Sequence, residues 1–504
     1  MKELYKKCNY TLAMTLGVLG ALSMAPFYMF IALMIAFSGL YIILSHSKNI
    51  KQAFFCGWSF GCGYFTTSLY WLDVPLITQS KILWLLIPFT LIIPASLSLL
   101  FAAATSISYF LNYKKLPGLI TFSLSFTIVG MLLEYIVPWS LFAYSWAFSI
   151  EMLQTASLLG TYGMEFLAIF CSTAPGVCIK DKSTASCAIV MLVLVSMFIY
   201  GNNRLSLTNQ DQKYNHDVAI RIVQGNTVSS WNGNEEQEYD RFQTYLRLTS
   251  QYGLNSRTHV IWGENSFPFL TNRNIDSVQN YLKLTIPKFL IAGGTRLANT
   301  NDKFHNTLFV INSNGQIIDH YDKFHLVPFG EFIPFALGSF IPEKITSKLN
   351  YSPGTNKNKT VSLNYSPFIP LICYESIFSN EVANRCTKGQ WIVNITNDGW
   401  FGVSSQPYQH LEINRVRSIE NGLPTIRAAN SGISAVIDSY GRIINALPIM
   451  TEGIIDSYLP YHISEGTIYS KYLSKFITIK YATLIMLILA MLRLIPFKFH
   501  TNKK

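Results

Sequence analysis

Long uncharged runs dominate the first 200 residues of the chain, whereas short apolar runs separated by polar segments make up most of the remainder. A helix needs about 20 apolar residues to cross the hydrocarbon core of a bilayer. Eight runs approach that length, at residues 10–25, 27–45, 54–72, 82–110, 118–138, 157–178, 185–201 and 480–497. The pattern predicts seven membrane helices within residues 1–202, a water-exposed domain over 203–479, and an eighth helix with a short tail over 480–504.

The polar region reads as alternating strands and helices. Short apolar runs rich in β-branched residues and ending in Gly, Asn or Asp are typical of the buried strands of a layered sheet. Helical patterns fall near residues 234–252, 275–285 and 407–421. The strand-like runs are DVAIRIVQG, THVIWGE, KFLIAGG, NTLFVIN, QIIDHY, FIPLICYE, QWIVNITN, TIRAAN, SAVIDS and GRII. We therefore expect an α/β sandwich with its functional residues at strand ends and in loops.

Composition and charge support a membrane protein. Half of the 504 residues are hydrophobic and 13% are charged, which is too apolar for an ordinary soluble protein of this length. Cytoplasmic loops collect Lys and Arg. Both chain ends and alternate short connections carry thirteen such residues, namely Lys2, Lys6, Lys7, Lys48, Lys51, Lys114, Lys115, Lys180, Lys182, Arg493, Lys498, Lys503 and Lys504. The opposite connections carry only Lys81.

This asymmetry predicts that both termini are cytoplasmic and that the 203–479 domain faces outward. The first apolar run is expected to stay as a membrane helix and not to be cleaved as a signal peptide. The net charge of +11 is explained mostly by topology, so nucleic acid is not an expected partner. Glu134 and Glu165 lie in or near predicted spans, toward their outer ends, and we expect both to be solvated at the membrane interface.

Three residues of the outer domain suggest acyl-thioester chemistry: Glu264 in VIWGEN, Lys323 in YDKFHLVPFGE and Cys373 in FIPLICYESIF. A cysteine thiol needs a neighbouring base or positive charge to act as a nucleophile near neutral pH. A carboxylate can take the proton, and a lysine can stabilise a developing oxyanion. Each residue alone is more often structural. The sequence shows no clustered zinc ligands and no phosphate-binding loop, so neither a metal nor another cofactor is expected.

The cysteines leave one alternative open. Six of the eight lie in or near the predicted spans, where a cysteine usually serves as a small hydrophobic residue. Only Cys373 and Cys386 belong to the outer domain. In an oxidising compartment these two could form a disulfide, which would remove the nucleophile.

The order and local sequence of the motifs carry a family resemblance. VIWGEN, YDKFHLVPFGEFIPF, LICYES and NITNDGWFG resemble motifs of the carbon-nitrogen hydrolase (nitrilase) superfamily. With its flanking apolar spans, the whole chain resembles the apolipoprotein N-acyltransferases of the bacterial inner membrane. The resemblance implies eight spans and a periplasmic αββα sandwich in which Glu264 is the base, Lys323 the lysine and Cys373 the nucleophile. Gly263 and Asn265 depart from the usual base motif.

The same resemblance implies supporting residues and a reaction. Glu331, Tyr374 and Glu375 match supporting positions, and Trp231 and Asn306 match positions near the site. The implied reaction moves an acyl chain from phospholipid, through a cysteine thioester, to the N-terminal amine of a diacylglyceryl lipoprotein. We expect the protein to act as a monomer. Two alternatives remain: a membrane-tethered amidohydrolase, in which water resolves the acyl-enzyme, and a non-enzymatic transporter or receptor.

Two loops are unusually apolar. They are FGEFIPFALGSFIPEK at 329–344, which contains Pro334, and GWFGVSSQPY at 399–408. Exposed apolar surface of this kind marks membrane or partner contacts, whereas the alternative is ordinary core packing. We expect the loops to act as lids that dip into the outer leaflet and gate lipid entry, with Trp400 and Phe401 as the leading candidates.

Overall fold

The computed structural model describes residues 9–79, 88–112, 114–206, 214–227, 235–267, 279–283, 285–298, 303–332, 351–363, 366–386 and 388–475. The chain divides into two compact units. The first comprises residues 1–73, 84–202 and 472–504, and the second comprises 74–83 and 203–471. The predicted eighth span at 480–497 lies outside the described residues.

The first unit is helical. In chain order, the α-helices up to residue 206 are α1 (Tyr10–Ala21), α2 (Phe30–Leu44), α3 (Ile50–Ser68), α4 (Val74–Gln79), α5 (Ile93–Leu111), α6 (Lys115–Leu133), α7 (Ile150–Leu153), α8 (Ala156–Asp181) and α9 (Thr184–Ser206). The short helix α4 belongs to the second unit. Within the described residues, four helical segments are long and apolar enough to cross a membrane, namely Thr90–Leu111, Lys115–Leu133, Ala156–Asp181 and Thr184–Ser206. Helices α1 and α2 are apolar but shorter. Several apolar helices are thus present, and the number of spans stays a prediction.

Glycine allows α1 and α3 to pack closely. A Cβ atom on Gly17 would lie 1.9 Å from the carbonyl oxygen of Phe60, and one on Gly63 would lie 2.0 Å from that of Met14. Both positions therefore exclude any side chain. Small residues at helix contacts are a common way for membrane helices to associate, since lipid supplies little hydrophobic driving force.

The expectation that Glu165 is solvated was wrong. Its side chain on α8 is buried, and its Oε2 accepts a hydrogen bond from the Ala143 backbone N–H at 2.7 Å. Ala143 belongs to a 3-10 turn, Phe142–Phe148, whose backbone needs partners inside the unit. Glu134, by contrast, is partly exposed at the end of α6 and accepts a hydrogen bond from the Tyr162 hydroxyl.

Two mixed sheets form the second unit. Six strands pair in the order β11-β1-β2-β3-β4-β5 and five in the order β10-β9-β8-β7-β6. The strands are β1 (Tyr214–Gln224), β2 (His259–Trp262), β3 (Phe289–Leu297), β4 (Phe304–Asn312), β5 (Ile317–Asp322), β6 (Phe368–Ile372), β7 (Trp391–Thr396), β8 (Thr425–Ala429), β9 (Ser434–Ile437), β10 (Ile443–Leu447) and β11 (Gly453–Pro460). All ten predicted strands are present, and β11 was missed.

Helices flank these sheets. They are α10 (Glu235–Thr249), α11 (Ser379–Arg385), α12 (Gln406–Asn421) and α13 (Ile468–Lys471). Helix α10 packs Phe242 and Tyr245 against Trp262 of β2. The predicted helices near 234–252 and 407–421 correspond to α10 and α12, and the described residues of the one near 275–285, namely 279–283 and 285, are helical. The parallel pairs β1/β2, β6/β7 and β7/β8 bring several strand ends to shared edges, where the candidate residues lie.

His259, at the start of β2, makes stability depend on pH. The side chain is 3% exposed beside Phe289 and Trp391, and burial lowers its pKa to about 4. Between pH 6.5 and 4 the His259 side chain binds a proton in the unfolded chain but not in the folded chain. The stability that the folded protein has with a neutral His259 is therefore lost as pH falls through that window. It amounts to about 3 kcal/mol.

Replacing His259 by phenylalanine should therefore flatten the pH dependence. We expect the thermal midpoint of the detergent-solubilised full chain to fall less between pH 7 and pH 4.5 in His259→Phe than in the unsubstituted protein. Exposed His216 on β1 supplies the matched control, since His216→Phe should leave the pH dependence unchanged. Equal slopes for the His259→Phe variant and the original chain would contradict the assignment.

Candidate active site

Cys373 lies at a sharp turn. Strand β6 ends at Ile372, and Cys373 starts a 3-10 turn, Cys373–Ile377, with a φ of 53°. A non-glycine residue in this left-handed region costs about 1–3 kcal/mol and is retained where the surroundings fix it. The thiol is thus presented from a strained backbone position at the end of a buried strand, as the sequence predicted for its place in the chain.

Glu264 and Lys323 meet in a buried cluster. Glu264 follows β2 and Lys323 follows β5, and the Lys323 Nζ lies 3.3 Å from Glu264 Oε1. Glu331 accepts a second hydrogen bond from Lys323 Nζ at 3.0 Å. The Asn306 side-chain Nδ2 bridges both carboxylates, at 2.7 Å from Glu264 and 2.6 Å from Glu331. Four residues distant in sequence therefore form one charged network.

Backbone groups hold both carboxylates. Glu264 Oε2 accepts the N–H of Asn397 at 2.9 Å, and Glu331 Oε2 accepts the N–H of Val327 at 2.7 Å. With one oxygen of each group fixed by backbone, the other is aimed at Lys323. Glu331 is thus a direct partner of the lysine, and not merely a cap of its own loop.

The electrostatics favour a charged lysine and a neutral resting thiol. Burial opposes charge on Lys323, but the carboxylates of Glu264 and Glu331 hold its pKa well above the ordinary value. Burial raises the pKa of the Cys373 thiol, Glu264 raises it further, and Lys323 acts in the opposite direction. At neutral pH the thiol keeps its proton, so use of its sulfur as a nucleophile would require a base to remove that proton.

Hydrogen bonds of Glu375 and Tyr374 connect the turn Cys373–Ile377 to the loop that follows Lys323. Buried Glu375 accepts hydrogen bonds from the backbone N–H groups of Ile372 and Phe324 and from the Tyr321 hydroxyl, each at 2.8 Å. The Tyr374 hydroxyl donates to the Leu326 carbonyl at 2.6 Å. Since Phe324 and Leu326 follow Lys323 closely, these contacts set where the lysine stands relative to Cys373.

Comparison with known proteins decides the family. Residues 16–174 match the family described as apolipoprotein N-acyltransferase N-terminal domain, and residues 287–462 match carbon-nitrogen hydrolase. The apolipoprotein N-acyltransferase of Bradyrhizobium diazoefficiens is 34% identical over 91% of this chain and 90% of its own length. That of Rickettsia prowazekii is 32% identical over 92% of this chain and 94% of its own. This chain belongs to the apolipoprotein N-acyltransferase family.

Solved structures of the nitrilase superfamily also match. Nit3 of Saccharomyces cerevisiae is 18% identical, covers 52% of this chain and 95% of its own, and has a TM-score of 0.37. An amidase from Nesterenkonia sp. is 15% identical, with 52% and 94% coverage and a TM-score of 0.39.

The remaining predicted site residues of this N-acyltransferase family member are the candidate lid and substrate-binding residues. Trp231 and Pro334 are outside the described residues. Trp400 and Phe401 are partly exposed in the 3-10 turn Asp398–Phe401, and the neighbouring Val403 is 80% exposed. Both domain cysteines are free, so the Cys373–Cys386 disulfide is not formed.

Four buried polar residues beside the Cys373 turn were not predicted from the sequence. Asn394, Asp398, His410 and Arg427 are all buried next to the Cys373 turn. Their signal was the polar NITND end of a strand otherwise typical of the core, together with an arginine inside the strand run TIRAAN. Among the residues that the structure describes, no group of three or more His, Cys, Asp or Glu side chains is arranged to hold a metal ion.

Proposed function

We propose that the protein transfers a fatty acyl chain from a phospholipid, through a thioester on Cys373, to the α-amino group of the N-terminal diacylglyceryl-cysteine of lipoproteins. One observation carries this proposal: in a member of the apolipoprotein N-acyltransferase family, the cysteine stands beside a buried Glu264–Lys323 pair. The family membership supports an acyltransferase over a membrane-tethered amidohydrolase using the same residues.

In the first half-reaction, Glu264 takes the Cys373 proton as the sulfur attacks the ester carbonyl carbon. Lys323 and the backbone N–H of Tyr374 stabilise the oxyanion of the tetrahedral intermediate. The carbon–oxygen bond then breaks, and Glu264 passes its proton to the departing lysophospholipid oxygen. The acyl chain remains on sulfur as a thioester, and no external reactant is consumed.

The second half-reaction begins when the lipoprotein amine attacks the thioester carbonyl carbon. Glu264 accepts a proton from the attacking nitrogen, the carbon–sulfur bond breaks, and the sulfur regains a proton from Glu264. An amide forms and the free thiol returns. Because an amide is more stable than a thioester, the cycle needs no separate energy source.

We further propose a membrane arrangement for this reaction. Eight spans over residues 1–202 and 480–504 place both termini in the cytoplasm of an inner-membrane protein, and residues 203–479 form a periplasmic αββα domain acting as a monomer. The loop asymmetry of thirteen basic residues against one supports this orientation. Exposed Val403, beside Trp400 and Phe401, supports contact between that turn and lipid. With Trp231 and Pro334, these residues would line or gate the lipid path.

The decisive experiment incubates the purified full chain with phospholipid and a diacylated lipopeptide. Mass spectrometry should detect the triacylated peptide and, when the peptide is omitted, an acyl adduct on Cys373. A mixture without phospholipid serves as the control and should yield neither. If the protein released only free fatty acid while the lipopeptide stayed diacylated, the hydrolase alternative would replace this proposal.

A further inference from the structure

A buried carboxylate, Asp398, lies at the centre of a polar assembly below the nucleophile. It is 0% exposed and pairs with the Arg427 guanidinium. It also lies 3.0 Å from His410 Nδ1 and accepts hydrogen bonds from Gln406 Nε2 and Thr396 Oγ1, each at 3.2 Å. So many partners converging on one fully buried charge fix its position, and through it the position of Arg427.

Arg427 connects this charge to the nucleophile turn. Its Nη1 donates to Asn394 Oδ1 at 2.6 Å, and its Nε donates to the Ile433 carbonyl at 3.1 Å. A guanidinium can only donate, so this contact determines which end of the Asn394 amide is oxygen. The opposite end, Nδ2, then donates to the carbonyl oxygen of Cys373 at 3.1 Å.

His410 lies against the same carbonyl. Its Nε2 is 3.2 Å from the Cys373 oxygen and 3.1 Å from Ser376 Oγ. The Cys373 carbonyl, which belongs to the residue with a φ of 53°, is therefore enclosed by polar groups that all connect back to Asp398. A strained backbone position needs such external support to persist.

The residue before Asp398 holds the proposed base. The Asn397 backbone N–H donates to Glu264 Oε2 at 2.9 Å. Two consecutive residues after β7 thus reach both reacting groups, Glu264 directly and the Cys373 turn through Arg427 and Asn394. Any displacement of this segment would change the distance between the base and the thiol.

We propose that Asp398, acting through Arg427 and Asn394, positions the Cys373 turn relative to Glu264 for thioester formation. This inference rests on the proposed function, since it takes Cys373 as the acyl carrier. None of the three side chains is assigned to the reacting atoms, so they are positioning residues. The alternative is a buried ion pair that only stabilises the sheet.

The charge of Asp398 and its positioning role predict opposite effects of an Asp398 substitution on the acylation rate. The negative charge of Asp398 raises the pKa of the Cys373 thiol and opposes thiolate formation. Removing the charge alone would therefore speed acylation. Loss of positioning would slow it, because a misplacement of about 1 Å at a reacting centre can reduce the rate about 100-fold.

The test measures acylation of Cys373 in single turnover. The detergent-solubilised full chain is mixed with phospholipid in micelles, without acceptor peptide, and the acyl adduct is followed by intact mass. We expect Asp398→Asn and Asn394→Ala each to slow thioester formation about 10- to 100-fold, with half-saturating phospholipid unchanged within about twofold. The double variant should be no slower than the slower single variant, since both act through one relay.

A matched control is present in the same unit. Asp456 pairs with buried Arg221 at 2.7 Å, and among the described residues no hydrogen bond joins Asp456 to the Cys373 site. Asp456→Asn should lower the thermal midpoint yet leave the acylation rate unchanged. If Asp398→Asn fails to fold, the acylation rate of Asn394→Ala tests the proposal by itself, because this variant leaves the Asp398–Arg427 pair in place.

Three outcomes would overturn the proposal: an unchanged rate in folded Asn394→Ala, faster acylation in Asp398→Asn, or rate losses that multiply in the double variant. Absence of an adduct in the unsubstituted protein would be a different result. It would reject Cys373 as acyl carrier, and therefore the proposed function itself.

Discussion

Replacing Cys373 by alanine is expected to abolish both the acyl adduct and the triacylated product, a loss of at least about 10⁴-fold. Cys373 is a free thiol whose pKa is shifted by both Glu264 and Lys323, so it is the group expected to carry the acyl chain. Cys373→Ser should retain at most a trace of activity. A serine hydroxyl ionises far less readily than a thiol, and the burial that already raises the pKa of Cys373 would disfavour its anion further. Intact mass and product analysis measure both quantities.

The second cysteine of the domain supplies the control for this prediction. Cys386 is also a free thiol, and it packs against the apolar cluster that contains Val382 and Ile392. Cys386→Ala should keep acyl transfer within about twofold of the original rate, at a modest cost in stability. An adduct that persisted in Cys373→Ala but disappeared in Cys386→Ala would show that Cys386, and not Cys373, is the nucleophile.

The sequence predicted the elements of this site better than their connections. Short β-branched runs predicted ten strands that the structure contains, and motif order selected Glu264, Lys323 and Cys373, whose catalytic roles stay predictions. Strand β11 was not predicted because its sequence, GIIDSYLP, is only half apolar and forms a strand by pairing with β1. Its Ile455 pairs with Ile222, more than 200 residues earlier in the chain. Local pattern carries no information about such a partner.

The buried polar residues next to the Cys373 turn could not be predicted from the sequence for a related reason. Arg427 in a strand and Asp398 in a turn each look like ordinary surface residues when read alone. Only the parallel pairing of β7 with β8, which sets Asn394 opposite Arg427, makes them one buried assembly. Glu165 was misjudged in the same way, because its partner is the backbone of Ala143 and not a recognisable side chain. Burial of a charge is decided by tertiary partners, which hydropathy along the chain does not reveal.

Lys323 carries the second large prediction, because it is the cation that two buried carboxylates share. Its side chain is 1% exposed, and Glu264 and Glu331 lie 3.3 and 3.0 Å from its Nζ. Lys323→Met would leave both carboxylates buried without their cation, and breaking such a pair costs about 3–5 kcal/mol. The pKa of Lys323 is raised, so its stabilising contribution is present at neutral pH and is lost only as pH rises above the ordinary range of lysine. We also expect no detectable thioester, because the oxyanion loses its positive partner.

A double variant separates the two roles of this lysine. Lys323→Met combined with Glu331→Gln removes one carboxylate charge together with the cation, so the free energy of unfolding should recover in part, while thioester formation stays absent. Lys359→Met is the control, since Lys359 forms a partly exposed pair with Asp319 and should cost no more than about 1 kcal/mol. Chemical unfolding in detergent and intact mass provide the two readouts. A double variant as unstable as Lys323→Met would show that the unpaired carboxylates are not the source of the loss, and a Lys323→Met protein that still formed the thioester would remove the lysine from the mechanism.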